Sequence, residues 1–144
     1  MDDWGDDDVE TVASESEPPA QDKGADSAPR LAYGNADEFF REYLRYVYRR
    51  RIDGRNRLWS RRWWAYDEAL NRVQALWRAW EALRLDPATG MSVWWRDHAD
   101  PHMSMLMSPD GPFQGCDDKT TAPNAPLPYE APPEGFFVDE REAR

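Results

Sequence analysis

The sequence predicts a mainly α-helical protein, with a small domain of three or four helices around a tryptophan-rich core. The first observation is aromatic density, since fifteen of the 81 residues from Tyr33 to Phe113 are aromatic. Large rings suit so short a chain because each buries on the order of 150–250 Å². The second is that apolar residues recur at helical spacing in this region. The third is that residues 1–32 and 119–144 show no such period.

Residues 1–32 are rich in Asp, Glu, Ser, Ala and Pro, and we expect them to form a disordered acidic tail. A segment of this composition buries too little apolar surface to offset the entropy lost on ordering. The helical, tryptophan-rich domain is therefore expected over residues 33–118.

The first helix is predicted to begin at Asn35, a good N-cap residue, with Glu38 completing a capping-box pattern. Apolar residues then fall at i, i+3, i+4 and i+7, the spacing of one buried helical face: Phe40, Tyr43, Leu44 and Val47. We expect this helix to end at Asp53 and Gly54, because both residues tolerate turn geometry.

The second helix is predicted to run from about Asp67 to Leu85. Its apolar residues form a wide arc at the 3.6-residue period: Leu70, Val73, Leu76, Trp77, Trp80 and Leu83. Glu68 and Arg72 are spaced for an i,i+4 ion pair. Asp86 and Pro87 mark the end of the helix.

The third segment, residues 91–107, supports two interpretations. One face of a helix would carry Met91, Trp94, Trp95, His98, His102 and Met105. Pro101 would kink this helix or restart it as a first position. In contrast, methionines alternate from 103 to 107 and good turn chemistry follows them, so a short β-hairpin near 103–116 is the other interpretation. We favour the helix.

Residues 119–144 are predicted to form a proline-rich, extended tail that is partly docked or disordered. Five prolines exclude both helix and central strand there. The tail nevertheless carries apolar residues at 127–129 and 135–137, which fit docking either onto the domain or onto a partner. Docking back onto the domain is the interpretation we favour.

Charge is unevenly distributed along the chain. The formal net charge is −10, made up of −8 over residues 1–30, +4 over residues 31–86 and −6 over residues 87–144. An acidic balance disfavours nonspecific nucleic-acid binding by the whole chain, because phosphate is repelled at long range. Cys116 is the only cysteine and no apolar run is long enough to span a bilayer, so we expect a cytoplasmic protein without membrane association.

Residues 41–62 form the first candidate site, with nine arginines, no lysine and only two acidic residues. Guanidinium groups pair with phosphate and bases stack on aromatic rings, so this pattern is typical of a nucleic-acid groove. The predicted binding residues are Arg45, Arg49, Arg55, Arg57, Trp59, Arg61, Arg62, Trp63 and Trp64. The overall charge favours the alternative that these arginines cover tryptophan faces or pair with the protein's own acidic tails.

His98, His102 and Cys116 form a second candidate site. The H-x₃-H spacing places both imidazoles on one helical face, and imidazole and thiolate are ligands for a tetrahedral zinc ion. No CxxC or HExxH motif accompanies them, and a histidine beside Trp94 and Trp95 is more often a core residue. Apart from zinc we expect no cofactor. No enzyme is expected either, because GxSxG, P-loop and GxGxxG motifs are absent.

The tryptophan motifs resemble an actinobacterial domain family of unknown function. They are Arg62-Trp63-Trp64, the stretches 75–81 and 92–98, and Gly111-Pro112-Phe113 with Gly115-Cys116. The resemblance covers about residues 35–137. Members of that family are often encoded on plasmids, integrative elements and phages, so the resemblance implies a role in conjugation or element maintenance, and no activity or ligand.

The function predicted from these patterns is that of a non-enzymatic binding or adaptor domain in a mobile-element process. Its surface would be formed by arginine and tryptophan between the first two helices, and its partner would be a protein. Nucleic-acid binding through residues 41–62 is the first alternative, and a structural metal site is the second. The sequence does not predict the oligomeric state.

Overall fold

The structure is a computed structural model that describes residues 29–116 and 120–142. Its contacts divide the chain into two units, residues 1–30 and 31–144, and the fold described below is that of the second. The predicted acidic tail therefore lies, as far as residue 28, outside the described residues. The predicted class is confirmed, because the described part of the chain is mainly helical and contains no β-strand.

Residues 29–116 and 120–142 contain three continuous helices. The first consists of two α-helical stretches joined by a π-helical turn: Ala36–Phe39, Phe40–Leu44 and Arg45–Val47. The second is the α-helix Asp67–Leu83, which follows a 3₁₀ turn at Trp63–Ala65. The third also contains a π-helical turn: Gly90–Val93, Trp94–Ala99 and Asp100–Met107. None of these helices has the length and apolar character needed to cross a bilayer.

The first helix begins at Asn35 as predicted. The Asn35 Oδ1 atom accepts the backbone N–H of Glu38 at 2.8 Å, which satisfies one of the free donors of the first turn. The Glu38 carboxylate accepts the N–H of Gly34 at 2.7 Å instead of the N–H of Asn35, so the reciprocal bond of the capping box is displaced by one residue.

The first helix ends at Val47, and its predicted end at Asp53 and Gly54 was wrong. The chain leaves helical geometry at Tyr48 and runs to Ile52, whose side chain is buried. There the N–H of Ile52 donates to Thr121 Oγ1 at 3.0 Å, and the carbonyl of Ile52 accepts the N–H of Thr121 at 2.9 Å. Long-range bonds with the tail replace the local helical bonds in this segment.

The second helix confirms the predicted pattern almost to the residue. Val73, Leu76 and Trp77 are buried in its centre, and the rest of the predicted arc is half-buried. The indole N–H of Trp94 donates to the Leu76 carbonyl at 3.1 Å, which fixes the third helix against the second.

The segment 103–107 is helical, so the favoured interpretation is confirmed and the alternative, a short β-hairpin near 103–116, is wrong. Its turn chemistry is nevertheless used, because the N–H of Gly111 donates to the Ser108 carbonyl at 2.9 Å in the turn that ends the helix. Pro101 lies inside the continuous helix, two residues after the π-helical turn. We attribute its tolerance to that turn, since a π turn already interrupts the i→i−4 ladder that proline cannot complete.

The core is rich in tryptophan, as predicted. Its largest fully buried side chains include four indole rings and three phenyl rings: Trp59, Trp63, Trp77, Trp94, Phe39, Phe40 and Phe113. Phe40 is central, because it stacks on Trp59 with ring centroids 5.5 Å apart and also lies 5.3 Å from Trp63. Such pairs add about 0.5–1.5 kcal/mol each beyond the area they bury.

Residues 120–142 form neither helix nor strand, and they pack against the helices with turns at 123–124, 134–135 and 140–142. Leu127 is fully buried, and its backbone exchanges two bonds with Arg45: its N–H donates to the Arg45 carbonyl at 3.1 Å, and its carbonyl accepts the Arg45 Nε at 2.9 Å. The Tyr129 hydroxyl donates to Asp37 Oδ1 at 2.8 Å, and the N–H of Glu140 donates to the Gly34 carbonyl at 2.8 Å.

Candidate nucleic-acid interface

A loop rich in arginine connects the first helix to the core and carries the candidate site. We call residues 48–58 the arginine loop. It begins at the buried Tyr48 and ends at the buried Leu58, whose N–H donates to the Met107 carbonyl at 2.9 Å. Both ends of the loop are thus anchored, one in the first helix and the other at the end of the third.

Asp53 shapes the centre of the arginine loop. Its Oδ1 atom accepts three backbone N–H groups, from Arg55 at 2.9 Å, Asn56 at 2.8 Å and Arg57 at 3.0 Å. Gly54 has a φ of 75°, a left-handed conformation that favours glycine. The N–H bonds from Arg55, Arg57 and Asn56 lower the pKa of the Asp53 carboxyl to about 2. The carboxylate therefore stays ionised and acts as an internal cap for the loop.

Four arginines of this loop are exposed and form no ion pair with any residue that the structure describes: Arg50, Arg51, Arg55 and Arg57. Asp53 is the only acidic residue in the loop, and its Oδ1 atom is turned to the backbone. The loop consequently presents a concentrated positive charge to solvent, which attracts phosphate.

Other arginines of the predicted site are bound to the C-terminal segment. Arg45 bonds to Leu127, and Arg49 donates to the Asn124 carbonyl at 2.9 Å. The Nε atom of Arg61 donates to a Glu130 oxygen at 3.0 Å, and Arg62 lies 3.6 Å from the other oxygen of the same carboxylate. These four side chains hold the segment to the domain, which agrees in part with the alternative that the arginines pair within the protein.

The tryptophans of the predicted site lie in the core. Trp59 and Trp63 are fully buried, and Trp64 is 6 % exposed with its indole N–H donated to the Glu130 carbonyl at 2.8 Å. Among the arginines that the structure describes, Arg62 alone lies over one of these rings, 5.5 Å from the centroid of Trp64. The structure therefore does not bring arginine and tryptophan together as a shared binding surface, and the exposed part of the predicted site is arginine alone.

A cleft of about 440 Å³ opens between the arginine loop and the third helix. Tyr48, Arg50, Asn56 and Arg57 line it on the side of the loop. Asp100 and Ser104 line it on the side of the helix, and Met107 and Ser108 complete it. Sequence reasoning missed the members outside the arginine segment, because only the meeting of residue 48 with residue 100 in the fold brings them together.

The three predicted metal ligands are not gathered into a site. No group of three or more His, Cys, Asp or Glu side chains suitable for a metal ion exists among residues 29–116 and 120–142. The Nδ1 atom of His102 lies 3.0 Å from Arg72 NH1, and since arginine can only donate, Nδ1 accepts and the ring is neutral. Burial, together with the charges of Arg72 and His98, lowers the pKa of His102.

The fold and the exposed loop define a small helical domain with an aromatic core and a basic surface segment. A family model matches residues 33–133, and the chain belongs to that family, the domain of unknown function DUF4913. The matched region includes all three helices, the arginine loop and part of the segment after residue 118. Searches of the curated proteins and of the solved structures gave no match.

Proposed function

We propose that this chain is a non-enzymatic binding domain and that its arginine loop binds the phosphate backbone of nucleic acid. The observation that carries the proposal is the set of four exposed arginines, Arg50, Arg51, Arg55 and Arg57, without ion-pair partners in the described part of the chain. Arginine is suited to phosphate because its planar fork forms two parallel charge-assisted bonds.

Preorganisation supports the same proposal. The backbone bonds to Asp53 hold the loop in one shape before any ligand arrives, so less conformational entropy is lost on binding. The charge of the domain is also segregated: residues 31–144 carry eighteen acidic and sixteen basic groups, yet residues 49–62 carry seven arginines against one aspartate. Without residues 49–62, the rest of residues 31–144 carries seventeen acidic and nine basic groups, a net charge of −8, so a polyanion is attracted to this positive segment and repelled by the rest of the domain.

The binding residues in this proposal are arginines and not tryptophans. A protein adaptor surface built on Trp59, Trp63 and Trp64 has no basis when all three rings are buried. We also propose the process in which the domain acts. The resemblance to a family often encoded on plasmids, integrative elements and phages supports a role in conjugation or element maintenance, where DNA is handled.

The test is fluorescence anisotropy of a labelled 20-nucleotide single strand and a 20-base-pair duplex, with the full chain, across a salt series from 50 to 200 mM. We expect binding that weakens with salt, and we expect the double variant R51Q/R55Q to lower the slope of log K against log[salt] by about 2. The matched control is R78Q/R96Q, which removes the same charge from arginines paired with Glu140 and Asp97.

Absence of binding at 50 mM salt would overturn the proposal. Equal weakening by both double variants would also overturn it, because net charge and not the arginine loop would then determine the affinity.

A further inference from the structure

The cleft beside the arginine loop contains two guanidinium groups that are held in place but not neutralised. Arg50 NH1 donates to the Arg49 carbonyl at 2.8 Å, and Arg57 NH1 donates to the Arg51 carbonyl at 3.3 Å. A guanidinium has five N–H donors, so each side chain keeps further donors for a ligand beside the one bonded to a carbonyl. Carbonyl partners fix the positions of both groups without cancelling their charge.

Stacked rings support one of these groups. The Arg50 Cζ atom lies 4.2 Å from the centroid of the Tyr48 ring, and that ring is stacked on Trp95 at 5.6 Å with planes only 14° apart. The layers Arg50, Tyr48 and Trp95 form a stacked wall that extends from the cleft into the domain. A cation over an aromatic face is attracted by the electron-rich ring, which helps to keep Arg50 in position.

The opposite wall has a different chemistry. The Oδ1 atom of Asp100 accepts the Tyr48 hydroxyl at 3.1 Å, and no described residue donates to its Oδ2 atom. Ser104 places a hydroxyl on the same wall. A free carboxylate oxygen repels a bare anion but accepts hydroxyl and amine donors. The cleft therefore fits a ligand with an anionic group at one end and hydroxyl or N–H groups at the other.

We propose that this cleft binds one nucleoside 5′-phosphate unit, either as a free mononucleotide or as the phosphorylated end of a strand. Arg50 and Arg57 take the phosphate, and Asp100 with Ser104 takes the donors of the sugar or base. This assignment rests on the nucleic-acid binding proposed above and deepens it from general backbone attraction to recognition of a unit. The volume of about 440 Å³ lies within the range of small-ligand pockets.

The first arm of the test is calorimetric titration of the full chain with adenosine 5′-monophosphate, adenosine and inorganic phosphate. We expect the monophosphate to bind at least about tenfold more tightly than either fragment, since each fragment contacts only one wall. R57Q is expected to weaken this binding about tenfold and S104F, which fills the cleft, to abolish it. The controls R96Q and S92F change the same residue types at exposed positions of the third helix outside the cleft.

The second arm compares 12-nucleotide strands with and without a 5′-phosphate, and it distinguishes the two sources of the ligand. A preference of about tenfold for the phosphorylated strand that disappears in S104F supports recognition of a strand end. Binding of the mononucleotide without that preference supports a free nucleotide. Far-ultraviolet circular dichroism of each variant checks folding, and R57Q, at an exposed loop position, tests the cleft independently of S104F.

Failure of this inference is distinct from failure of the proposed function. If salt-dependent binding of long strands persists while the monophosphate does not bind and the 5′-phosphate makes no difference, the cleft is not a nucleotide site and the arginine loop still binds nucleic acid. If the monophosphate binds and long strands do not, the cleft is a nucleotide site and the arginine loop does not bind the backbone of nucleic acid. Equal effects of S104F and S92F would overturn the assignment of the cleft.

Discussion

The buried carboxylate of Glu81 holds the backbone of residues 32 and 33 at the start of the helical domain. It is only 7 % exposed, and its two oxygens accept four donors. Two are backbone N–H groups, from Ala32 at 2.9 Å and Tyr33 at 2.8 Å, and two are side-chain groups, from Trp77 at 3.1 Å and Arg84 at 3.0 Å. A buried charge is tolerated only when it is satisfied in this way. Ordered structure consequently begins before residue 33, where the sequence predicted the domain boundary.

The substitution E81Q is expected to lower the free energy of unfolding by about 3 kcal/mol. The amide keeps the shape but replaces one acceptor oxygen with a donor, and it removes the negative charge that pairs with Arg84. Urea denaturation followed by tryptophan fluorescence measures the change. The matched control is E68Q, which breaks the exposed Glu68–Arg72 pair of the same helix and should cost less than about 1 kcal/mol. Equal costs in the two variants would contradict this account of Glu81.

At the scale of elements, the π-helical turns determine which side chains reach the core. The buried residues of the third helix include Trp94, Ala99 and Met103. Successive buried positions are therefore five residues apart across the π-helical turn and four residues apart after it. A pattern based on 3.6 residues per turn expects a spacing of three or four residues, so it does not predict a spacing of five. For this reason His98 and His102 are half-buried and Met105 is 53 % exposed, although all three were predicted to share one face of the helix with the buried Trp94.

Gly90 sets how closely the second and third helices meet at their connection. A Cβ atom at this position would lie 1.9 Å from the Leu83 carbonyl oxygen, a backbone atom that cannot rotate away. We expect G90A to destabilise the protein by about 2 kcal/mol and to lower the Tm by about 10 °C. Thermal melting followed by circular dichroism measures it. S92A, at an exposed position of the same helix, should leave the Tm within about 2 °C, and a similar Tm for G90A would show that the connection is not tight.

At the scale of the whole molecule, the segment 120–142 closes the fold by crossing the first helix. In this segment the Tyr129 hydroxyl donates to the Asp37 carboxylate, and the pKa of each group is raised. Burial raises the pKa of Asp37, although the bond from Tyr129 and the charge of Arg41 act against it. Burial and the bond to Asp37 raise the pKa of Tyr129 to about 12.

The Tyr129 pKa predicts a loss of stability in alkali. Because the folded-state pKa is raised above the unfolded value of 10.0, the stabilisation is fully present below pH 10 and is lost as the pH rises towards 12. We expect Y129F to cost about 2 kcal/mol at pH 8, and the difference between wild type and variant to vanish between pH 10 and 12. Denaturant titrations at each pH measure this difference. Y46F, which changes a 43 % exposed tyrosine, is the control, and a pH-independent difference for Y129F would contradict the assignment.

The sequence was sufficient for some parts of this molecule and insufficient for others, for physical reasons. The second helix and the Asn35 cap follow from local spacing and local hydrogen bonds, and both were predicted. The path of the chain after the first helix includes the bond of Ile52 to Thr121, 69 residues further along, and no local pattern encodes that contact. The arginine segment was found from composition, but which arginines are exposed depends on the path of residues 120–142. The cleft depends on side chains of two elements that meet only in the fold.

The hydrogen bond between Glu140 and Gly34 brings both ends of the folded unit side by side. A short linker between residues 142 and 31 would therefore close the backbone into a ring without crossing the domain, and new termini could be opened at the exposed connection of residues 85–89. The same geometry makes the unit suitable for insertion into a surface loop of a host protein, since its entry and exit points are neighbours.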